Sequence, residues 1–166
     1  AEDIPKVTEN ILPNQKLNCV AYGCTSGTIA AGYQSIYDKV NLAKPNTKVT
    51  TPITSAINAL KKLNIKKISI FTPYTDEINQ AVINYFKKEN IEIVELSYFN
   101  IASDLDIGKV DSSHLFDVLV KKDLSKSDAL FISCTALPAL SIINDLEKKL
   151  GKLVLSSNQT LIWDTL

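Results

Sequence analysis

The chain reads as an α/β protein built on parallel sheets, and three observations lead there. Short apolar runs alternate along its length with stretches whose apolar residues recur at helical spacing, the pattern of successive βα units. A complete βαβ unit is legible between residues 67 and 96. Two distant stretches are alike, Val20-Ala21-Tyr22-Gly23-Cys24-Thr25-Ser26-Gly27 and Leu130-Phe131-Ile132-Ser133-Cys134-Thr135-Ala136-Leu137, each an apolar strand ending on Cys-Thr. The repetition predicts two similar lobes facing one another. Both thiols then lie at the carboxyl ends of parallel strands, where such folds place their ligands.

The elements follow in order. Residues 1–12 carry Ile4, Val7, Ile11 and Leu12 on one helical face, stopped by Pro13-Asn14. Residues 17–22 read as a strand. Ile29, Tyr33, Ile36, Tyr37 and Val40 then mark a helix over 28–40, which Lys44-Pro45-Asn46 ends. Val49 opens a short extended piece, and Pro52 suits the first turn of a helix bearing Ile53, Ile57, Leu60 and Leu63. In the βαβ unit, strand 67–71 is followed by the loop Thr72-Pro73-Tyr74, a helix over 76–88 and strand 91–96. Residues 98–111 are irregular, a length in keeping with a functional loop. Helix 113–122, strand 129–133, helix 138–150 capped by Gly151, and strand 153–155 come next. A short terminal helix closes the chain, with Asn158 expected as its cap and Trp163 as its anchor.

These elements divide into a partial first lobe over 1–49, with 156–166 packing back onto it, and a second lobe over 50–155. Only one firm strand precedes residue 45, so the first lobe is read as N-terminally incomplete. Its open edge is expected to be covered by a preceding segment or by a second chain in a homo-oligomer.

Composition narrows the function. At 166 residues the chain can bury a real core. A formal net charge of +0 leaves no electrostatic footprint for nucleic acid or an anionic membrane. No apolar run reaches membrane-spanning length and no signal-peptide pattern opens the chain, so a cytoplasmic location is expected. All 18 basic residues are Lys, many paired as in Lys61-Lys62 and Lys148-Lys149. Without Arg, a carboxylate substrate is not held by a bidentate fork. The three Cys and His114 show no metal-ligand spacing, so free thiols and no metal are expected. Cys19, in mid-strand, reads as packing, and His114 as a surface residue.

A thiol at a strand end sits beside the next helix's N-terminus, where free amides and the macrodipole favour thiolate. Two such groups, Cys24 and Cys134, sharing one substrate divide the work. One adds as a nucleophile or removes a proton, and the other delivers a proton from the opposite face. That arrangement suits racemisation, double-bond isomerisation or decarboxylation with reprotonation. Carbanionic charge develops in all three, and Thr25, Ser26, Thr135 and nearby amides are the candidate donors.

In this order, Tyr22-Gly23-Cys24-Thr25-Ser26-Gly27, Thr72-Pro73-Tyr74, Phe131-Ile132-Ser133-Cys134-Thr135 and Ser156-Ser157-Asn158-Gln159 with Trp163 resemble one family. It is the maleate cis-trans isomerase and arylmalonate decarboxylase branch of the Asp/Glu racemase superfamily, and the resemblance covers nearly the whole chain. It implies two pseudo-symmetric lobes with a cofactor-free site for a small carboxylate between them, and Tyr74 as a ligand contact. Arylmalonate decarboxylases have Gly in place of the first cysteine, so a chain with both is similar to the isomerase and racemase members. Two departures accompany the resemblance. Family members begin with a strand and a Ser-Asn loop that contacts substrate, and neither precedes Ala1. Maleate isomerases also place Asn where Asp104 stands, and a carboxylate there repels a dicarboxylate unless it is protonated or paired with an amino group. The expected function is therefore a cofactor-independent two-cysteine isomerase or racemase. The alternatives are a decarboxylase, or a non-catalytic small-acid binding protein on the same scaffold.

Overall fold

The structure, a computed structural model, describes residues 2–166. The larger sheet contains β3 (Lys67–Thr72), β4 (Glu92–Tyr98), β5 (Ala129–Ile132) and β6 (Leu153–Ser156), all parallel, in the order β4-β3-β5-β6. Its two central strands, Lys-Ile-Ser-Ile-Phe-Thr and Ala-Leu-Phe-Ile, are near-continuous apolar runs because helices cover both faces. The chain leaves β3 for β4 on one side and returns to place β5 on the other. The strand order therefore reverses between β3 and β5, and the crevice beyond their carboxyl ends is the ligand position of an open α/β sheet.

A second sheet pairs β1 (Cys19–Ala21) with β2 (Lys48–Thr50) in parallel, Val20 lying opposite Val49. The smaller sheet thus has two strands, where the sequence offers one firm strand and a short extended piece opening at Val49. The three residues Lys48-Val49-Thr50 are too short a run to read as a firm strand from sequence, and it is the pairing with β1 that makes them one.

The helices are α1 (Ile4–Glu9), α2 (Thr25–Ala31), α3 (Tyr33–Ala43), α4 (Pro52–Lys62), α5 (Asp76–Lys88), α6 (Asp104–Ile107), α7 (Ser112–Leu119), α8 (Ile143–Leu150) and α9 (Ser157–Thr165). The helix expected over 28–40 starts earlier and is broken at Gly32, whose φ of 80° and ψ of 137° are neither helical nor open to a side chain without strain. Helical spacing runs on across the break although the two helices serve different cores, Ile29 of α2 packing on the cluster around Phe71 and Ile36 and Val40 of α3 on that around Val20. Residues expected at the start of helix 138–150 instead form a 3₁₀ turn, Leu140–Ile142, ahead of α8. Within 98–111, Ser103 caps the four residues of α6. Helix α1 stops at Glu9, short of the expected residue 12: Val7 on it and Ile11 and Leu12 beyond it are exposed, while Thr8 is buried and Ile4 packs half-buried beside Val20.

Left-handed residues follow the helices that feed β3, β4 and β6. Asn64 (φ 58°) and Asn90 (φ 60°) let Ile65 and Ile91 donate back to Leu60 and Phe86, and Gly151 (φ 61°) closes α8. Beneath these turns lies the main core, in which Phe71, Phe86 and Phe131 are fully buried and Phe86 meets Phe131 edge-on at 5.8 Å. Each such ring contributes roughly 2–3 kcal/mol through the area it removes from water. A separate small cluster, Val20, Ile36, Val40 and Val49, supports β1 and β2.

Helix α9 joins the two sheets. Thr165 bonds Thr50 at 2.8 Å, and the Asp164 carboxylate accepts from Ser55 (2.9 Å) and Asn58 (3.1 Å) on α4. Trp163 is not the anchor: it is 48% exposed beside a groove lined by Lys62, Leu63 and Leu155, while Thr160 and Leu161 are buried. Gly32→Ala is expected to cost about 1–3 kcal/mol through backbone strain. Urea unfolding should show it as a lower midpoint at unchanged m-value.

Candidate active site

Cys24 is the N-cap residue of α2. Its sulfur accepts from the Gly27 N–H at 3.2 Å and lies 3.8 Å from Ser26 Oγ. A Cβ on Gly27 would fall 2.8 Å from both Cys24 Sγ and Tyr22 Oη, so the glycine is what lets thiol and phenol lie over the helix start. Burial and the charge of Cys24 both raise the Tyr22 phenol above its usual range. Thr25, behind Cys24, is buried. Ser26 is half-buried and lines a groove of about 460 Å³ together with Glu77 and Ile78 of α5.

Cys134 follows β5 at the reversal of strand order. Its φ of 99° is one that L side chains rarely adopt, a conformation costing about 1–3 kcal/mol that persists only where surroundings over-determine it. Those surroundings are visible. The Cys134 N–H donates to Ser157 Oγ at 3.1 Å, the Thr135 hydroxyl donates to the Gly23 carbonyl at 2.7 Å, and Asn158 Nδ2 donates to the Thr135 carbonyl at 3.0 Å. Ser157 Oγ also lies 3.4 Å from Thr25 Oγ1. Through these bonds the two Cys-Thr turns, 110 residues apart, meet at one place. The hydroxyl proton of Thr135 is committed to Gly23, leaving only its oxygen lone pairs for a ligand.

The Cys134 thiol is 8% exposed. Burial pushes its pKa above the ordinary 9.0, and the Asp104 carboxylate adds to the rise. Amide hydrogen bonds from Ala136 and Leu137 and the Tyr74 hydroxyl oppose it without reversing it. Cys134 thus carries its proton through neutral pH.

Tyr74 is buried in the main core rather than standing at the rim, and its hydroxyl is in interaction range of Cys134, Ser133 and Thr25. Burial first, then the Cys134 charge, raises its pKa far above the usual phenol range. Its loop is set from beneath: Thr72 Oγ1 donates to Asn79 Oδ1 (2.6 Å), and Asn79 Nδ2 donates to the Tyr74 carbonyl (3.1 Å). Ser133 Oγ is buried beside it with no hydrogen-bond partner among the described residues.

Asp104 is exposed at the start of α6, reaching the site through its charge on Cys134. Its loop is tied to the Tyr74 loop by Phe99 N–H to the Thr72 carbonyl (3.1 Å) and Ile101 N–H to the Pro73 carbonyl (2.7 Å). Sequence reasoning missed Ser157 and assigned Asn158 to capping. The cap of α9 is Ser156, whose Oγ accepts from the Gln159 N–H at 3.2 Å, and Asn158 turns to the Cys134 turn instead. Three polar residues in a row each suit a helix start, and only the fold tells them apart. His114 is exposed, stacked on Phe99. Cys19, Cys24 and Cys134 are free thiols. Among the described residues, no group of three or more His, Cys, Asp or Glu is placed to hold a metal ion, and no helix is long and apolar enough to cross a membrane.

The arylmalonate decarboxylase family model matches residues 34–166. The chain belongs to that family. It is 26% identical over 164 residues to the maleate isomerase of Geobacillus stearothermophilus, covering 93% of this chain and 65% of that protein. The chain therefore spans less than two thirds of that relative's length. Among solved structures, a maleate isomerase variant from Pseudomonas putida S16 with maleate matches at TM-score 0.88 and 18% identity, over 98% of this chain and 68% of the other. A Nocardia farcinica maleate cis-trans isomerase variant with a covalently bound succinylcysteine intermediate matches at TM-score 0.86 and 17% identity, over 98% and 69%. At these identities the structural likeness speaks to the fold: an α/β architecture of parallel sheets flanked by helices.

In the native protein, iodoacetamide should alkylate Cys134 only at a more alkaline pH than in the urea-denatured chain, with rates resolved by peptide mass spectrometry. The native state holds this proton more tightly than the unfolded chain. The linked stability is therefore complete below the ordinary thiol range and is lost as pH rises from that range through the raised native value. A native midpoint equal to the denatured one contradicts the assignment.

Proposed function

We propose that the protein is a cofactor-independent cis-trans isomerase of a small unsaturated carboxylic acid, with Cys24 as nucleophile and Cys134 as proton donor. The observation that carries this reading is the unlike setting of two thiols whose turns are bonded together: Cys24 sits at a helix start with an N–H on its sulfur, and Cys134 is buried with its proton held. The Cys24 thiolate adds to one carbon of the double bond, forming a C–S bond and pushing an electron pair toward the far carboxyl group. Cys134 gives its proton to the adjacent carbon, so the former double bond is single and rotates. The Cys134 thiolate then takes a proton back, the double bond re-forms, and the C–S bond breaks to release the trans acid and the Cys24 thiolate. Amides and the Ser26 hydroxyl steady the carboxylate charge, since the chain holds no Arg. The succinylcysteine carried by the related Nocardia enzyme variant supports an adduct of this kind.

The family match favours a second reading, decarboxylation of a malonate. There the C–CO₂ bond breaks, its electron pair forms an enediolate, and Cys134 protonates that carbon while Cys24 takes no covalent part. A racemase would instead exchange an α-proton between the thiols with no adduct. Cys24→Ala and Cys134→Ala, assayed with cis-dicarboxylates, aryl malonates and amino acids in deuterated water, separate the three. Isomerisation predicts at least about a thousandfold loss of kcat in either variant, with a substrate-mass adduct on Cys24 of the wild type. Turnover of a malonate that survives Cys24→Ala replaces it with decarboxylation, and α-deuteration without an adduct replaces it with racemisation.

A further inference from the structure

We infer that Ser157 is a positioning residue that aligns the two cysteine turns, an inference that rests on the two-thiol reading above. Ser157 is fully buried at the first residue of α9. Its hydroxyl has no task within that helix, because the cap belongs to Ser156. It leaves its own helix to accept the Cys134 N–H at 3.1 Å and to meet Thr25 Oγ1 at 3.4 Å. One oxygen therefore touches both the residue bearing the second thiol and the residue that follows the first.

The chemistry at this point requires a hydroxyl. Its oxygen accepts from an amide and still shares a proton with another hydroxyl, which a methyl group cannot do. The Cys134 backbone at φ 99° is held against its own preference, and the Ser157 bond acts on that residue's amide directly. Without it, a buried N–H loses its acceptor and the turn relaxes toward ordinary dihedrals. The sulfur then moves away from the amides of Ala136 and Leu137 that favour its thiolate. Misplacement of that kind falls on the chemical step, because the bond acts on the backbone that aims the Cys134 sulfur, whereas Ser26, the hydroxyl proposed for the carboxylate, lies beside Cys24.

The test compares wild type with Ser157→Ala, Ser157→Thr and Ser156→Ala. Ser157→Ala should lower kcat about ten- to a hundredfold while KM moves less than about threefold. It should also move the alkylation midpoint of Cys134 to higher pH. Ser157→Thr, which keeps the hydroxyl, should restore kcat to within about threefold of wild type. Ser156→Ala removes a helix cap and should lower the melting temperature without changing the Cys134 midpoint. The inference is overturned if folded Ser157→Ala leaves the midpoint where it was, if Ser156→Ala shifts it equally, or if folded Ser157→Thr is as slow as Ser157→Ala. Alkylation needs no substrate, so a wild type without isomerase turnover counts against the proposed function alone, and the midpoints still decide the role of Ser157.

Discussion

The hydrogen bond from the Thr135 hydroxyl to the Gly23 carbonyl joins the carboxyl ends of two sheets that share no strand pairing. Everything specific to this molecule's site depends on that meeting. Each Cys-Thr turn alone is a strand end followed by a helical segment, a feature that α/β proteins contain many times over. Brought together, they place the turn of an N-capping thiol and the turn of a buried one at a single junction, where Tyr74, Thr25 and Ser157 are buried. The cost of the Cys134 dihedral angle is met by the bonds that converge on residues 134 and 135, and by the main core that holds β5 in place.

The site's electrostatics follow from what the chain lacks. Every basic residue is a lysine, and the ion pairs present join Lys48, Lys61, Lys67, Lys109, Lys122 and Lys148 to acidic partners away from the two turns. The ionic group that acts on Cys134 is the Asp104 carboxylate, which strengthens the thiol's hold on its proton. In the proposed reaction amide and hydroxyl dipoles take the place of guanidinium forks, and such donors are most effective where water is excluded.

The positions of the two cysteines were legible because the strand-then-Cys-Thr pattern is local, and the α/β class because apolar periodicity needs no knowledge of neighbours. What escaped was decided by distant contacts. Val49 becomes a strand by pairing with Val20, and Gly32 interrupts a helix whose periodicity continues across it. Ser156, Ser157 and Asn158 are interchangeable as helix-start residues, yet one caps, one reaches Cys134 and Thr25, and one reaches Thr135. Tyr74 carries no mark in sequence of whether its phenol faces solvent or core, and that choice is made by Asn79 beneath its loop.

The two sheets differ in how much holds them. The smaller one pairs over three residues per strand above a core of Val20, Ile36, Val40 and Val49, whereas the larger rests on the extended cluster around Phe71, Phe86 and Phe131. Local opening therefore belongs to the smaller sheet, whose amides exchange with solvent at a lower free energy than those of β3 and β5. Cys24 rides on the part that opens and Cys134 on the part that stays shut. A ligand gripping both turns binds only the closed form, so its affinity appears directly as slowed hydrogen exchange in β1 and β2.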